Sequence, residues 1–437
     1  MKKKKRRRIS LGSVFMLLLT AAVVVGCAVF LSVLVGEDIY EKTGELIRSL
    51  SEQGLFEQLP ERAVPMQSEP APAMIWEEEA TAAPPAPTPT PAPQKSTISI
   101  AVGGSVYAPK AVRESARSGR SYDFTPVFSG VSDVLSDADL AIVTLEMTAA
   151  GAAAGWDNYN TPAEILDALR GAGVDLFSLA TEHVLDKGYE GLDLTVSELT
   201  GRGLAYAGVN PDGGSSGISM MRVGGIQIAV LAYTYGLSSE GAAQTQSDKR
   251  AVVSLLDKDR MICDIAQARV LGANLIIVLP HWGTKNKQET PENLRMLARE
   301  LAEAGADIII GTHPNVAQAS ERLQVKRADG LLYETVVCYS TGALLTDART
   351  PENTASMIAQ LNVTYDPMSR RTTLGILDIV PVYIARQREE GNMVYRVINA
   401  QDETAIAGLT QAEQDAAREA ADRVQNAALQ ESSGGLE

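Results

Sequence analysis

Short runs of apolar and β-branched residues recur along the chain beyond residue 95 and alternate with segments of helical periodicity. The runs predict strands at Thr97–Val102, Leu140–Leu145, Asp175–Leu179, Ile226–Ala232, Leu275–Leu279, Asp307–Ile310 and Thr335–Tyr339. The intervening patterns predict helices at Pro162–Gly171, Gly191–Gly201, Asp257–Gly272 and Pro291–Gly305. Such alternation is typical of an α/β domain with much parallel strand pairing. Strands that are apolar throughout, such as Leu275–Leu279, indicate sheets covered on both faces.

The pattern changes after Thr350. Leu361–Tyr365 and Gly375–Tyr383 are predicted to form antiparallel strands at the end of the domain. Gln411–Leu429 is predicted to form an alanine-rich acidic helix, which is followed by a disordered tail. We therefore assign an α/β domain to residues 96–385, and a C-terminal helix with its tail to residues 386–437.

The N-terminal segment has the composition of a membrane anchor. Residues 2–8 are all lysine or arginine, and no charged residue follows from Ile9 to Gly36. This run exceeds the roughly 20 residues that span a bilayer, and flanking cations favour the cytoplasmic side. Residues 1–8 are predicted as a cytoplasmic arm and residues 9–36 as a single-pass transmembrane anchor, with the following domain outside the cell. A lipoprotein signal ending at Cys27 is the alternative.

Two spacer segments are predicted between the anchor and the domain. Residues 37–59 have the pattern of a short amphipathic juxtamembrane helix. Residues 60–95 hold half of the chain's 20 prolines and form a Pro/Ala/Thr-rich linker. Such sequences adopt extended polyproline II structure and act as semi-rigid spacers.

Composition excludes two classes of protein. The formal net charge of −15 argues against general nucleic-acid binding, because an acidic surface repels phosphate backbones. Only three cysteines are present, too few for a disulfide framework or a zinc site built from CxxC pairs.

The three histidines of the chain each follow a predicted strand. His183, His281 and His313 occupy these positions, and Glu146 ends another strand. Ligands of open α/β sheets gather at the carboxyl ends of strands, and imidazole with carboxylate suits zinc, manganese or iron. The placement favours a metal or anion site, whereas a lone histidine is more often a hydrogen-bonded structural residue.

A series of short blocks gives the chain a family resemblance from about Thr97 to Asp347. The blocks, in order, are Gly103-Gly104, Thr144-Leu145-Glu146, Thr181-Glu182-His183, His281-Trp282-Gly283, Gly311-Thr312-His313-Pro314-Asn315 and Tyr339-Ser340-Thr341-Gly342-Ala343. Together they resemble the CapA family of poly-γ-glutamate capsule synthesis proteins. The resemblance implies a layered α/β/β/α sandwich similar to calcineurin-like metallophosphoesterases.

The resemblance also implies a set of site residues. The implied metal ligands are Glu146, Glu182, His183, His281, His313 and Asn315, and the metal would be zinc, manganese or iron. His281 or His313 would also orient or protonate the reacting group in catalysis. Substrate contacts are expected from Trp282 as a pocket wall, from Lys285, and from close backbone approach at Gly311 and Gly342. Asp186 is interpreted as the cap of a turn before Gly188.

Four positions depart from the family pattern. Gly104 stands where the pattern has a metal-binding aspartate, Glu182 and Asn315 replace an asparagine and a histidine, and Ala343 replaces an asparagine. Two-metal sites need enough anionic and imidazole ligands for both ions. The remaining set suffices for one metal and is doubtful for two.

Two classes of function follow. The first is a membrane-anchored extracellular protein acting in synthesis or retention of poly-γ-glutamate or another envelope polymer, by metal-assisted hydrolysis or transfer if it is an enzyme. The second is a non-catalytic binding or scaffold module with a decayed metal site, because fold does not imply activity. A phosphoesterase for a nucleotide or lipid is a third candidate. Whether the chain is an enzyme stays open at this point.

Overall fold

The computed structural model describes residues 94–213, 217–247 and 252–429. The predicted cytoplasmic arm, anchor, juxtamembrane helix and nearly all of the linker lie outside these residues, as does the C-terminal tail. Within the described ranges, no helix is long and apolar enough to cross a bilayer.

Strands make up most of the regular structure. They are β1 (Ser96–Val106), β2 (Arg117–Ser118), β3 (Ser121–Tyr122), β4 (Leu140–Leu145), β5 (Leu176–Ser178), β6 (Ala205–Ala207), β7 (Ile218–Val223), β8 (Ile226–Thr234), β9 (Leu275–His281), β10 (Ile308–Ile310), β11 (Ser320–Lys326), β12 (Leu332–Cys338), β13 (Ala343–Leu345), β14 (Ala355–Asp366), β15 (Arg371–Leu374), β16 (Asp378–Glu389) and β17 (Asn392–Asn399).

Helices connect many of the strands. They are α1 (Lys110–Ser115), α2 (Thr125–Phe128), α3 (Ser132–Ser136), α4 (Glu164–Gly171), α5 (Gly188–Gly201), α6 (Ser239–Ser247), α7 (Lys258–Val270), α8 (Glu292–Ala304), α9 (Glu403–Ala407) and α10 (Gln411–Ala428). The α/β class predicted from the alternating pattern is confirmed.

Two sheets organise the domain. The larger sheet has the strand order β17-β16-β14-β1-β4-β5-β6, with β13 beside β1 and β15 beside β14. The smaller sheet has the order β11-β12-β10-β9-β8-β7. Strands β1, β4, β5 and β6 run parallel in the larger sheet, and β8, β9, β10 and β12 run parallel in the smaller one. Antiparallel strands lie at both edges of the parallel set in the smaller sheet, and on the β1 side alone in the larger sheet.

The two sheets pack face to face, with helices on their outer faces. Ile100 and Ile142 of the larger sheet share one buried cluster with Ile277 and Val336 of the smaller sheet. The opposite face of the larger sheet packs on α4 through Val143, Leu166 and Leu169. The opposite face of the smaller sheet packs on α7 and α8. Alternate residues of each parallel strand therefore serve two cores, which explains why these strands are apolar throughout.

The C-terminal part belongs to the same domain, contrary to the boundary predicted at residue 385. That position lies inside β16, which pairs with both β14 and β17. Helix α10 was predicted within one residue of its observed end, and it buries Ala417 and Val424 in the cluster between the sheets. The larger sheet is wider than the smaller one, and α10 covers strands β14 and β16 on that face.

Candidate metal centre

The predicted histidines and carboxylates come together at one end of the sandwich. Glu146 follows β4, and Glu182 with His183 follows β5, so these three belong to the larger sheet. His281 is the last residue of β9, and His313 follows β10 in the smaller sheet. All five side chains are buried, with 6% exposure or less for each residue. The convergence arises because the parallel strands of both sheets end at the same edge.

Glu182 lies at the centre of this cluster, and its two oxygens face different neighbours. Oε1 lies 3.0 Å from His183 Nε2 and 2.8 Å from Lys285 Nζ. Oε2 lies 2.9 Å from His313 Nδ1 and 4.0 Å from His281 Nε2. Tyr235 also donates its hydroxyl to Oε2 over 2.5 Å. The carboxylate thus joins the two halves of the cluster.

The histidine rings are fixed by groups on their far sides. His183 Nδ1 lies 2.8 Å from Asp186 Oδ2, and Ser238 donates its hydroxyl to the other Asp186 oxygen. His281 Nδ1 lies 3.0 Å from Thr312 Oγ1. Such partners orient a metal-binding imidazole and set which nitrogen is available. In both rings the nitrogen that remains, Nε2, faces the cluster.

His313 has a strained backbone. Its φ is 95°, a conformation that non-glycine residues seldom adopt. Strain of this kind persists where surrounding structure imposes it and clusters at functional sites. Here it accompanies the approach of Nδ1 to Glu182.

Four buried polar atoms of the cluster have no hydrogen-bond partner. They are Glu146 Oε2, His183 Nε2, His281 Nε2 and His313 Nδ1. His183 Nε2 and His313 Nδ1 lie 3.0 Å and 2.9 Å from Glu182 oxygens without forming a hydrogen bond to them. Because buried polar atoms are nearly always satisfied, four unsatisfied donor atoms in one place fit a bound cation.

The donor atoms form two overlapping groups. One group is Glu182, His281 and His313, and the other is Glu146, Glu182 and His183. Within each group the ligand atoms all lie within 4.8 Å of one another. Imidazole and carboxylate donors suit zinc, manganese or iron, so the residues present fit the predicted divalent metal.

The electrostatics favour an ionised Glu182. Burial opposes ionisation, but close contacts with His183, His313, Lys285 and Tyr235 outweigh it and hold the pKa of the carboxyl well below its usual range. Burial raises the pKa of the Glu146 carboxyl, against the influence of Ser105 and Lys285. Burial also lowers the pKa of His281, with the neighbouring His313 acting in the same direction. A neutral His281 is the form that binds metal.

His183 differs from His281 in its charge. Burial lowers its pKa, but the contacts with Asp186 and Glu182 outweigh burial and raise the pKa to about 9. In the absence of a cation, a protonated His183 therefore balances the two carboxylates that it contacts.

The remaining predicted site residues fall into different environments. Lys285 joins the cluster through Glu182. Trp282 is 1% exposed and donates its indole N–H to the Tyr339 carbonyl, so it lies in the outer core and is not the predicted pocket wall. The backbone oxygen of Asn315 accepts from Asn353 Nδ2, a contact outside the donor groups.

Gly311 and Gly342 have packing reasons to be glycine. A Cβ at Gly311 would lie 2.1 Å from the Tyr339 backbone oxygen. Gly342 has a φ of 79°, and its added Cβ would lie 2.9 Å from Ser356 Cβ. These contacts account for both residues without the predicted approach of an anion.

Three residues near the cluster were missed or misread in the sequence. The Tyr159 ring stacks on the His183 ring at a centroid distance of 3.6 Å. The Tyr235 ring lies 4.6 Å from that of His313. Asp186 binds His183 and is more than a turn cap. A carboxylate three residues after a histidine was the available signal for Asp186, whereas the tyrosines lie in loops with no recognisable pattern.

Gly104 occupies a position with no room for a side chain. A Cβ there would lie 1.9 Å from the Gly342 backbone oxygen. We expect Gly104→Ala to lower the free energy of unfolding by about 1–3 kcal/mol, because overpacking against backbone cannot be relieved by a rotamer change. Gly104→Asp should be at least as destabilising.

Urea unfolding followed by circular dichroism measures this effect. Gly201→Ala is the matched control, because nothing lies within 4 Å of a Cβ at that position at the end of α5. The control should be neutral or slightly stabilising. A Gly104→Asp variant as stable as the parent chain would contradict the packing argument.

Comparison with known proteins gave one family and several relatives. The family model "Bacterial capsule synthesis protein PGA_cap" matches residues 99–348. The chain is 26% identical over 229 residues to "PGA biosynthesis protein CapA" of Bacillus subtilis, covering 52% of this chain and 55% of that protein. It is also 26% identical over 225 residues to "Capsule biosynthesis protein CapA" of Bacillus anthracis, covering 51% and 50%. The chain thus spans about half the length of these curated relatives.

Among solved structures, one similar chain is the calcineurin-like phosphoesterase YfkN from Bacillus subtilis. The TM-score is 0.38 at 10% identity, with 76% of this chain and 99% of that chain covered.

Proposed function

Because the chain belongs to the family of bacterial capsule synthesis proteins called PGA_cap, we propose that it acts in the synthesis or retention of poly-γ-glutamate or a related envelope polymer. The family was predicted from the residue blocks and is confirmed. The names of the Bacillus relatives support the polymer. The observation that carries a chemical role is the cluster of four unsatisfied buried donor atoms around Glu182.

The site that we propose to act on the polymer is a metal centre. Glu182, His281 and His313 would hold a zinc, manganese or iron ion, with Glu146 and His183 beside it. A divalent cation bound there would supply a Lewis acid for hydrolysis or transfer at an amide or phosphoryl group. This chemistry agrees with the metallophosphoesterase-like arrangement implied by the resemblance.

The chain's own residues would position the substrate around this centre. Tyr235 is 51% exposed, and the side chain of Lys285 is 42% exposed, so both link Glu182 to solvent. Tyr159 holds the His183 ring from one side, and Asp186 fixes its Nδ1. His183 is therefore the best-supported group for holding or moving a proton at Nε2. The proposal therefore differs from the prediction of His281 or His313 in that role, since both would be metal ligands in this arrangement.

The acidic charge of the chain agrees with a cation at the point of polymer contact. A polyanion would be repelled by a net charge of −15, and the charge of Lys285 is largely neutralised by Glu182. A bound divalent ion would provide the positive charge that carboxylates of the polymer need.

Placement at the cell membrane is part of the same proposal. The basis is the uncharged segment Ile9–Gly36 that follows seven cations. An anchor of this kind with the proline-rich linker would hold the domain on the outer side of the membrane.

A non-catalytic binding or scaffold module is the second candidate. One observation favours it: Gly104 has no space for the aspartate of the family pattern, because the Gly342 carbonyl occupies it. A side-chain ligand at this position is therefore sterically excluded, and a site that lacks this ligand could bind polymer without turnover.

Incubation of the full-length chain with poly-γ-glutamate of narrow size distribution separates the two candidates. With Mn²⁺ or Zn²⁺ present, we expect the polymer to shorten and new amino groups to appear, and EDTA should stop both. A His281→Ala, His313→Ala double variant should be at background, while Lys287→Ala, an exposed lysine near the site, should match the parent chain. Metal-dependent cosedimentation of polymer without shortening would support the binding module instead.

A further inference from the structure

The two oxygens of Glu182 serve different kinds of neighbour. Oε2 faces His313 Nδ1 at 2.9 Å and His281 Nε2 at 4.0 Å, two nitrogens without hydrogen-bond partners. Oε1 faces Lys285 Nζ at 2.8 Å and His183 Nε2 at 3.0 Å. Each oxygen therefore faces at least one unsatisfied histidine nitrogen, and Oε2 also accepts from the neutral Tyr235 hydroxyl. What distinguishes Oε1 is its contact with a cation, the Lys285 ammonium.

Lys285 is held at this place although it is close to solvent. It follows β9, four residues after His281, and its ammonium donates to a carboxylate whose side chain is only 6% exposed. The ammonium thus contacts a carboxylate that belongs to the second donor group, Glu146, Glu182 and His183.

The Lys285 ammonium and a divalent ion held by the second donor group would compete for the same oxygen, Glu182 Oε1. Two positive charges bound to the same oxygen repel each other, and the repulsion is twice as large for a divalent ion as for a monovalent one. A metal held by the second donor group would have to displace Lys285 from Oε1.

We infer that the Lys285 ammonium occupies the place of a second cation, so that the site holds one divalent metal, on Glu182, His281 and His313. This inference rests on the metal centre of the proposed function and specifies its composition. It also reassigns Lys285, which was predicted as a substrate contact, to a fixed positive charge of the centre itself.

The number of metal ions bound per chain would then depend on the exposed side chain of Lys285. Without Lys285, the second donor group keeps three ligand atoms within 4.8 Å of one another. Removal of the ammonium should therefore create a second, weaker metal site without any added ligand.

Metal stoichiometry tests this directly. The full-length chain and its variants are stripped with a chelator, equilibrated with Zn²⁺ or Mn²⁺, passed through a desalting column and analysed for metal per chain. We expect about one metal for the parent chain and about two for Lys285→Met and Lys285→Gln. Lys285→Arg, which keeps the charge, and Lys287→Met, which removes an exposed neighbouring charge, should both remain at about one.

The outcomes separate the inference from the proposed function. Two metals on the parent chain, or a single metal on folded Lys285→Met and Lys285→Gln variants, would overturn the role of Lys285 while leaving the metal centre in place. No metal on any variant, with folding intact by circular dichroism, would overturn the metal centre and the inference together. A second metal on both neutral variants, but not on Lys285→Arg, would support it.

Discussion

The Glu182→Gln variant is expected to bind a divalent metal at least about 100-fold more weakly than the parent chain. Glu182 is shared by both donor groups, and its two oxygens meet three histidines, a lysine and a tyrosine. Changes at residues that only support metal ligands typically cost 10–100-fold in affinity, and an anionic ligand should cost more. Isothermal titration with Zn²⁺ or Mn²⁺ measures the loss.

Glu303→Gln is the matched control for this variant. It makes the same chemical change at an exposed position on α8, and its affinity should equal that of the parent chain. Retained affinity in Glu182→Gln would show that the histidines and Glu146 bind the metal without the central carboxylate, and the proposed arrangement would then be wrong.

Asp307→Ala is expected to lower the free energy of unfolding by about 3–5 kcal/mol. Asp307 is 5% exposed and immediately precedes β10. It accepts from Arg269 at 2.6 Å, from Arg327 at 2.9 Å and from the Ile276 backbone N–H at 2.8 Å. Removal leaves the guanidinium of Arg327, whose side chain is 10% exposed, without its carboxylate. Breaking a buried ion pair on one side has this order of cost. Urea unfolding measures it.

A control variant and a measurement of metal binding test whether the effect of Asp307→Ala is specific to its ion pairs. Asp259→Ala, at an exposed position in the first turn of α7, should change stability by no more than about 0.5 kcal/mol. Metal binding by folded Asp307→Ala should be unaltered, because Asp307 lies at the opposite end of β10 from His313. A loss below about 1 kcal/mol would mean that solvent reaches both arginines.

The parallel part of the fold was predictable because its strands are buried on both faces. Leu140–Leu145 was predicted with its observed limits, since a continuous apolar run ends abruptly at charged or polar residues. β7 and β11, which lie at the edges of the smaller sheet, escaped prediction. Edge strands such as Ser320–Lys326 carry polar residues on an exposed face, and their pattern therefore resembles that of a loop.

The antiparallel strands of the larger sheet were predicted as antiparallel, but the predicted strands are shorter than the observed ones. The predicted strand Leu361–Tyr365 is the second half of β14, which runs from Ala355 to Asp366 and pairs with β1 from Ile358 to Tyr365. Small residues such as Ala355 and Ala359 pack between the sheets without giving a strong strand signal. Local propensity is weak where tertiary packing decides the conformation.

The meeting of the histidines and carboxylates in one cluster was largely predictable, and the residues that support them were not. Three histidines after three parallel strands indicate convergence by topology alone. The direction of a side chain within a loop is not encoded in spacing, so the sequence could not distinguish Trp282, which lies in the core, from Lys285, which reaches Glu182. Tyr235 and Tyr159 belong to loops of different sheets, and only the folded chain brings them to the same cluster.

The donor atoms come from both sheets, and this has a thermodynamic consequence. Glu182 belongs to the larger sheet, whereas His281 and His313 belong to the smaller one. An ion bound by all three would act as a cross-link between the two halves of the sandwich, available only when the halves are docked. Its binding free energy would then be added to the free energy of folding, and the docked sandwich would become more stable as the concentration of the free metal ion rises.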